Sequence, residues 1–339
     1  MRYRIASFFA GIGGLDLGFK CLGDLVYAND NNRFCHFTYE ANFPIKMDTR
    51  SIYDVKYADI PEFDILLASF PKQTFADLGC PKSFLTDRKT ILGEIYRVIG
   101  TKLPRVVVLE NLANIIKYDD GKTLEIIKSD LMELGYSISN REMSAQRYGN
   151  VPQNRQRVYT VAFRDLSDFY KFKWPWPIKL TKTRQDILDY EVKVPDRFYY
   201  TLQKHGEMYK KLDRAIIDDQ LYMWRRNYVR RTATELIPTL TANMGAGGHN
   251  TPIIRSRYGI RRLTPRECFD IQGFPSDFIL PDTVTVTQLY KQAGNASCVP
   301  VVERLAQAIK ECFESKCQLE KNYNIYKSYP SKKKLHLAN

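Results

Sequence analysis

Three acidic residues in the first third of the chain could hold a ligand. Asp30 follows the run Leu25 to Ala28, Glu110 follows Arg105 to Leu109, and Asp48 lies just before Thr49-Arg50-Ser51-Ile52. If the two runs are strands, Asp30 and Glu110 sit at strand carboxyl ends, the edge where open α/β sheets hold ligands. A carboxylate at the Asp30 position can accept from both hydroxyls of a ribose, although Asp30 could also simply cap a helix from Asn31 onwards. Asp48, on a loop, could reach an adenine amino group. Ala68-Ser69-Phe70-Pro71-Lys72-Gln73-Thr74-Phe75 follows another apolar run, Phe63 to Leu67, and brings an amine to the same edge. Gln153, Arg155 and Arg157 alternate into the apolar run Val158 to Phe163, which places three polar residues on one strand face. Such a face either carries function or is merely solvated.

The elements that would position these groups begin with a strand over Ile5 to Phe9. It runs into Ala10-Gly11-Ile12-Gly13-Gly14, and a helix starts at Leu15. A strand, a glycine turn and a helix start open a nucleotide-binding βαβ unit, in which backbone approaches the ligand and the helix end offers free N–H groups. A turn that only packs a helix on a sheet has the same appearance. No Lys-Ser/Thr follows the glycines, so a phosphate-cradling P-loop is excluded, and two acidic residues at successive strand ends suit an adenosine. The polar stretch Asp77 to Lys89 is long enough for a lid. Helices are expected over Ile91 to Ile99, over Leu124 to Leu134 with Gly135 as C-cap, and from Pro265 with Thr264 as N-cap. Gln292 to Pro300 is expected to lead into a long helix from Val301 to about Leu319, followed by a basic, disordered tail from Lys321.

At 339 residues with 44% hydrophobic content the chain can build one large α/β domain and a smaller one. Its net charge of +13 points to a polyanionic partner, with nucleic acid first; a generally basic composition is the plainer explanation. Seven cysteines without a CxxC pair suit reduced thiols in a cytoplasm, and four histidines leave little for a metal site. No run approaches membrane-spanning length. From Lys171 the composition shifts. Trp174-Pro175-Trp176-Pro177 marks a boundary, and up to about Arg262 arginines including Arg225, Arg226 and Arg230 interleave with tyrosines. Pro238 to Asn250, with Asn243, Gly247 and Gly248, is small, polar and glycine-bearing, so backbone there could approach a duplex closely. Arginines on phosphate and a few polar residues on base edges are how a DNA-reading module works.

Taken together, the chain resembles the DNA cytosine-5 methyltransferases from end to end. The resemblance rests on Phe9-Ala10-Gly11-Ile12-Gly13-Gly14, Glu110-Asn111, Gln153-x-Arg155-x-Arg157, Arg266-Glu267 with Gly273-Phe274-Pro275, and Gly294-Asn295-Ala296, all in the family's order. It implies an α/β fold: a Rossmann-like, S-adenosylmethionine-dependent large domain (1–170), a smaller, irregular target-recognition domain (171–278), and a return to the large domain (279–320) before the tail (321–339). By match of position, Phe9, Gly11, Gly13, Gly14, Asp30, Asp48, Pro71 and Asn295 line the cofactor site. Glu110, Arg155 and Arg157 surround the target base, with Glu110 at N3 and Arg155 at O2. Gln73, Arg225, Arg226, Arg230, Asn243, Gly247 and Gly248 face double-stranded DNA. The implied chemistry flips a cytosine and methylates C5, leaving S-adenosylhomocysteine, without a metal or a membrane. A companion restriction endonuclease and a bacterial cytoplasmic setting are implied as well.

The resemblance fails at one residue. The family signature Pro-Cys-Gln reads Pro71-Lys72-Gln73 here. In the family a thiolate adds to C6 and turns the ring into an enamine that attacks the methyl group. An amine near its reference pKa of ~10.4 is almost wholly protonated at neutral pH and is no nucleophile. An ion pair between Lys72 and Glu110 would also take the proton donor from N3. The expectation is a methyltransferase scaffold that is impaired or inactive as written. Four alternatives stay open: a partner chain completes the enzyme or a residual altered route remains, Lys72 attacks as a desolvated amine, Cys80 substitutes as nucleophile, or the protein grips DNA without catalysis. An RNA-directed relative is a further class. Arg88-Lys89-Thr90, where the family has Arg-Gly, is a milder departure.

Overall fold

The computed structural model describes residues 2–70, 90–225, 227–245 and 250–315. Its centre is a sheet of β1 (Tyr3–Phe8), β2 (Gly23–Asn29), β3 (Ile65–Ser69), β4 (Val106–Leu112), β5 (Ser137–Ser144) and, beyond a two-residue β6 (Gln153–Asn154), β7 (Gln156–Phe163). The strand order is β2-β1-β3-β4-β7-β5. The first four run parallel, and β7 is antiparallel to both β4 and β5. The central strands β3, β4 and β7 carry apolar runs because helices cover both faces, whereas the edge strand β5 is largely polar. Ile5, Leu67, Val106 and Val108 pack with Val302, Leu305 and Ile309 of the helix Val299–Glu314. The intervening Ala6, Leu66, Val107 and Leu109 pack with Ile95 and Ile99 of the helix Ile91–Lys102 and with Ile127 and Leu131 of the helix Lys122–Glu133. From β1 the chain passes to β2 on one side and reaches β3 on the other, so the carboxyl end of β1 is a topological switch point where a crevice opens.

A second sheet contains β8 (Tyr222–Arg225), β9 (Tyr228–Arg231), β11 (Pro252–Ser256) and β12 (Gly259–Arg262), antiparallel in the order β12-β11-β8-β9. The short β10 (Ile237–Pro238) pairs with β6. Leu212 of the helix Leu202–Ala215 packs on this sheet with Tyr222, Ile253 and Ile260, so the region after Lys171 is more regular than its composition suggests. A further core joins Leu240 and Met244 to the helices Pro265–Ile271 and Val286–Asn295, and also takes in Ile12 and Cys35. Thr264 and Glu267 cap the first of these helices reciprocally, with Pro265 at its first position. The helix Val286–Asn295 was not expected, and the final helix begins two residues earlier than its apolar pattern suggests.

The expected lid (77–89), Pro71, Lys72, Gln73, Cys80, Arg226, Gly247, Gly248 and the tail from Lys321 lie outside the described residues. Among the described residues no helix is long and apolar enough to cross a membrane, and no cluster of His, Cys, Asp and Glu could hold a metal ion.

Candidate active site

Beyond β1 the backbone makes a strained turn. Phe9 (φ 52°), Gly11 (φ 57°) and Gly13 (φ 83°) all lie in the left-handed region, which is rare for a bulky residue such as Phe9. The neighbouring strand fastens the turn, with Ala10 N–H donating to Asn29 O (3.1 Å) and Gly11 N–H to Asp30 Oδ2 (2.9 Å). The other Asp30 oxygen accepts from Asn32 N–H (2.8 Å). Burial pushes the Asp30 carboxyl up, against the pull of these two bonds.

The crevice at this switch point encloses about 570 Å³. Its walls are Phe9, Gly11 and Gly14 from the turn, Asp30 to Asn32 after β2, Ser69 and Phe70 at the end of β3, and Glu110 to Leu112 on β4. Arg157 of β7, together with Gln288, Lys291, Asn295 and Ser297, closes the opposite side, and Ala242 reaches in from the loop after β10. Among the described residues, two buried polar atoms on these walls have no partner: Asn111 Nδ2, a donor, and Gln288 Oε1, an acceptor. A buried polar group left unpaired is costly, so the walls suit a ligand that both accepts and donates hydrogen bonds.

Glu110 is 2% exposed and is held from two sides. Tyr159 Oη donates to Oε1 (3.2 Å) and Ser297 Oγ donates to Oε2. Arg157 Nε stands 3.8 Å from Oε1. The β4–β7 register explains the grouping. It pairs Glu110 with Tyr159 and Leu112 with Arg157, and residues two apart on β7 share a face.

The three polar residues expected on one strand face are divided. The strand breaks between β6 and β7, and Arg155 falls in the gap. Arg155, expected at the base, does not line the crevice. It is 2% exposed and donates to Leu240 O (3.2 Å), Gly294 O (3.3 Å) and Ala296 O (2.5 Å). Burial and the nearby Arg157 push its guanidinium down to about 9, opposed by Glu110, so it stays charged at neutral pH. Gln153 braces the same region, donating to Gln272 Oε1 (3.0 Å) and accepting from Leu240 N–H (3.2 Å). The close approach requires Gly294, since a Cβ there would stand 2.2 Å from the Thr241 carbonyl carbon.

Asp48 also stands apart from the crevice. Its carboxylate pairs with Arg50 (2.7 Å) and accepts the Tyr27 hydroxyl (2.8 Å), and the Arg50 bond holds it below the usual carboxylate range. Gly13 sits behind the turn, where a Cβ would meet the Phe43 ring at 2.2 Å.

Of the residues expected at DNA, Arg225, Arg230 and Asn243 are described and exposed. The register Met223–Arg230 and Arg225–Tyr228 puts Arg225, Tyr228 and Arg230 on the hairpin face opposite Tyr222, Trp224 and Val229, which pack inward. Arg231, Arg255 and Arg257 are paired with Asp218, Asp213 and Glu191. Among the described residues no carboxylate pairs with Arg225 or Arg230.

Sequence reasoning missed Tyr159, Ser297, Gln288 and Lys291. Tyr159 continues the every-other-residue spacing of Arg155 and Arg157, and Ser297 lies two residues beyond Asn295, so both carried a local signal. Gln288 and Lys291 were hidden with the unread helix.

Residues 3–311 match the family model described as C-5 cytosine-specific DNA methylase. The chain is 43% identical over 309 residues to the type II methyltransferase M.Bsp6I of Bacillus sp. (strain RFL6), covering 90% of this chain and 98% of that protein. It is 34% identical over 329 residues to the type II methyltransferase M.HhaI of Haemophilus parahaemolyticus, covering 90% and 94% respectively. Among solved structures, the Entamoeba histolytica methyltransferase EhMeth shares the fold with a TM-score of 0.71 at 18% identity, covering 93% of this chain and 100% of that one. With the glycine turn, the Glu110–Arg157 pair and the mainly parallel sheet in place, the chain belongs to the C-5 cytosine-specific DNA methylase family and is, by family, a DNA (cytosine-5-)-methyltransferase.

Proposed function

We propose that the crevice binds S-adenosylmethionine, that residues 171–278 hold duplex DNA over its mouth, and that a cytosine turned out of the duplex meets Glu110 and Arg157. The observation that carries this reading is the Glu110–Arg157 pair, 3.8 Å apart at a crevice beside the glycine turn. A base must leave the stack before its ring can be attacked. Glu110 then holds a proton at N3 and Arg157 faces O2, so that both offset charge developing on the ring. Arg157 takes this role in place of Arg155 because it alone of the two lines the crevice. Asp30 suits the ribose hydroxyls, and the unpartnered Asn111 Nδ2 and Gln288 Oε1 suit the polar groups of the amino-acid end. When bound, S-adenosylmethionine supplies the electrophilic methyl group.

In the sequence, Lys72 takes the place of the cysteine whose thiolate attacks C6 in the family. As written, the chain is a scaffold that binds both ligands and transfers little or no methyl. Lys72 equally favours a second reading, in which a methylase homologue grips DNA without catalysis. The type II relatives support a companion restriction endonuclease in either case. Calorimetric titration with S-adenosylmethionine and a gel shift on duplex DNA at low and high salt test the shared part. Both ligands should bind, with DNA binding weakened by salt. Absence of DNA binding at low salt would overturn both readings.

A further inference from the structure

We propose that Ser297 is a positioning residue for Glu110, fixing the base-facing carboxyl relative to the turn that faces the cofactor; this rests on the methyl-transfer reading above. Ser297 is 4% exposed and donates from Oγ to Glu110 Oε2. Its backbone lies against the start of the first helix, where a Cβ on Gly14 would stand 3.1 Å from Ser297 N and 3.3 Å from Ser297 O. One residue thus touches the glycine turn with its main chain and the carboxyl with its side chain. The segment it belongs to is itself held. Arg155 takes the carbonyls of Gly294 and Ala296, and Gln272 Nε2 donates to Ala293 O (2.7 Å).

The second donor to Glu110, Tyr159 Oη, comes from the adjacent strand, so the two carboxyl oxygens are fixed from different elements. A carboxyl with only one anchored oxygen can swing about its Cγ–Cδ bond. With both anchored, its orientation is set before the base arrives. Ser297 Oγ donates to a lone pair of Oε2, which that oxygen keeps whether Glu110 is ionised or protonated. Ser297 can therefore keep its hold while the carboxyl's own proton stays free for N3.

The test uses the full chain labelled with carboxyl-¹³C glutamate, with the Glu110 resonance identified by its loss in Glu110→Gln. Ser297→Ala removes one oxygen and should displace the Glu110 resonance, and Tyr159→Phe should displace it independently. In the Lys72→Cys background, Ser297→Ala should lower kcat about tenfold, the value of one hydrogen bond to a charged group, while KM for S-adenosylmethionine changes less than about twofold. A Glu110 resonance unchanged in Ser297→Ala overturns the proposal whatever the kinetics. A displaced resonance with unchanged kcat overturns it too. If the Lys72→Cys parent transfers no methyl, the fault lies with the methyl-transfer reading, and the resonance alone decides whether Ser297 holds the carboxyl.

Discussion

Arg155 and Arg157 are two residues apart and serve different structures. Arg157 stands 3.8 Å from the Glu110 carboxyl at the crevice, whereas Arg155 is buried on three carbonyls of other segments. Arg155→Met should lower the free energy of unfolding by about 3 kcal/mol, because it leaves several buried acceptors unpaired. Arg157→Ala should change stability by less than about 1 kcal/mol and, in the Lys72→Cys background, lower methyl transfer about 100-fold. Urea unfolding paired with rate measurements separates the two, and equal effects of both substitutions on stability would contradict the division of roles.

Gly294 admits the backbone of Thr241 and Ala242 at distances no Cβ tolerates. Because the obstruction is main chain, Gly294→Ala should destabilise by about 1–3 kcal/mol, read as a lower unfolding midpoint. Among the described residues nothing lies within 4 Å of a Cβ placed on Gly11, so Gly11→Ala should act through its left-handed φ and the ligand space instead.

Arg225 and Arg230 share an exposed hairpin face and lack carboxylate partners among the described residues, while Arg257 is paired with Glu191. If the two free arginines meet phosphates, replacing both with alanine should flatten the plot of log K against log salt by nearly 2, at about 0.9 per phosphate contact. Arg257→Ala should change the slope less. A gel-shift salt series measures both, and an unchanged slope in the double variant would remove this face from the DNA contact.

The fold was legible in the sequence where strands are buried on both faces. Leu66 and Val107 lie in unbroken apolar runs, as strands of a sheet covered on both faces do. Thr264-Pro265 and Glu267 likewise announce a capped helix start by chemistry local to four residues. The site was less legible because its grouping depends on register and on a break in the chain. Alternation alone put Arg155 beside Arg157, and nothing local to the sequence shows that the strand is interrupted at Arg155. The acidic residue Asp48 follows the spacing of a ligand contact, yet Arg50, two residues away, captures it. Ser297 meets Glu110 across 187 residues of chain, a contact that no spacing rule encodes.

Beneath the glycine turn, Asp16 is 1% exposed and accepts from Ser7 Oγ (2.5 Å) and Tyr39 Oη (2.7 Å). Burial pushes its carboxyl up to about 6, against the pull of those two hydroxyls. The folded state therefore holds this proton more tightly than the unfolded chain, whose carboxyl titrates near 4. Asp16 contributes its full stability below pH 4 and loses it as pH rises towards 6, a change of about 3 kcal/mol at 1.36 kcal/mol per unit. In Asp16→Asn this component should vanish, so the stability difference between the two proteins should shift towards the variant from pH 4 to pH 6.5. A difference independent of pH across that window would show that Asp16 titrates normally.

Transfer of a labelled methyl group from S-adenosylmethionine to duplex DNA tests most directly whether the chain keeps the scaffold for cytosine methylation and lacks only the nucleophile. The assay compares the protein as written with its Lys72→Cys variant on the same DNA. Little or no incorporation by the Lys72 protein and a strong rise in the variant are the predicted result. Equal incorporation by both, or none by either despite bound DNA and S-adenosylmethionine, would contradict it.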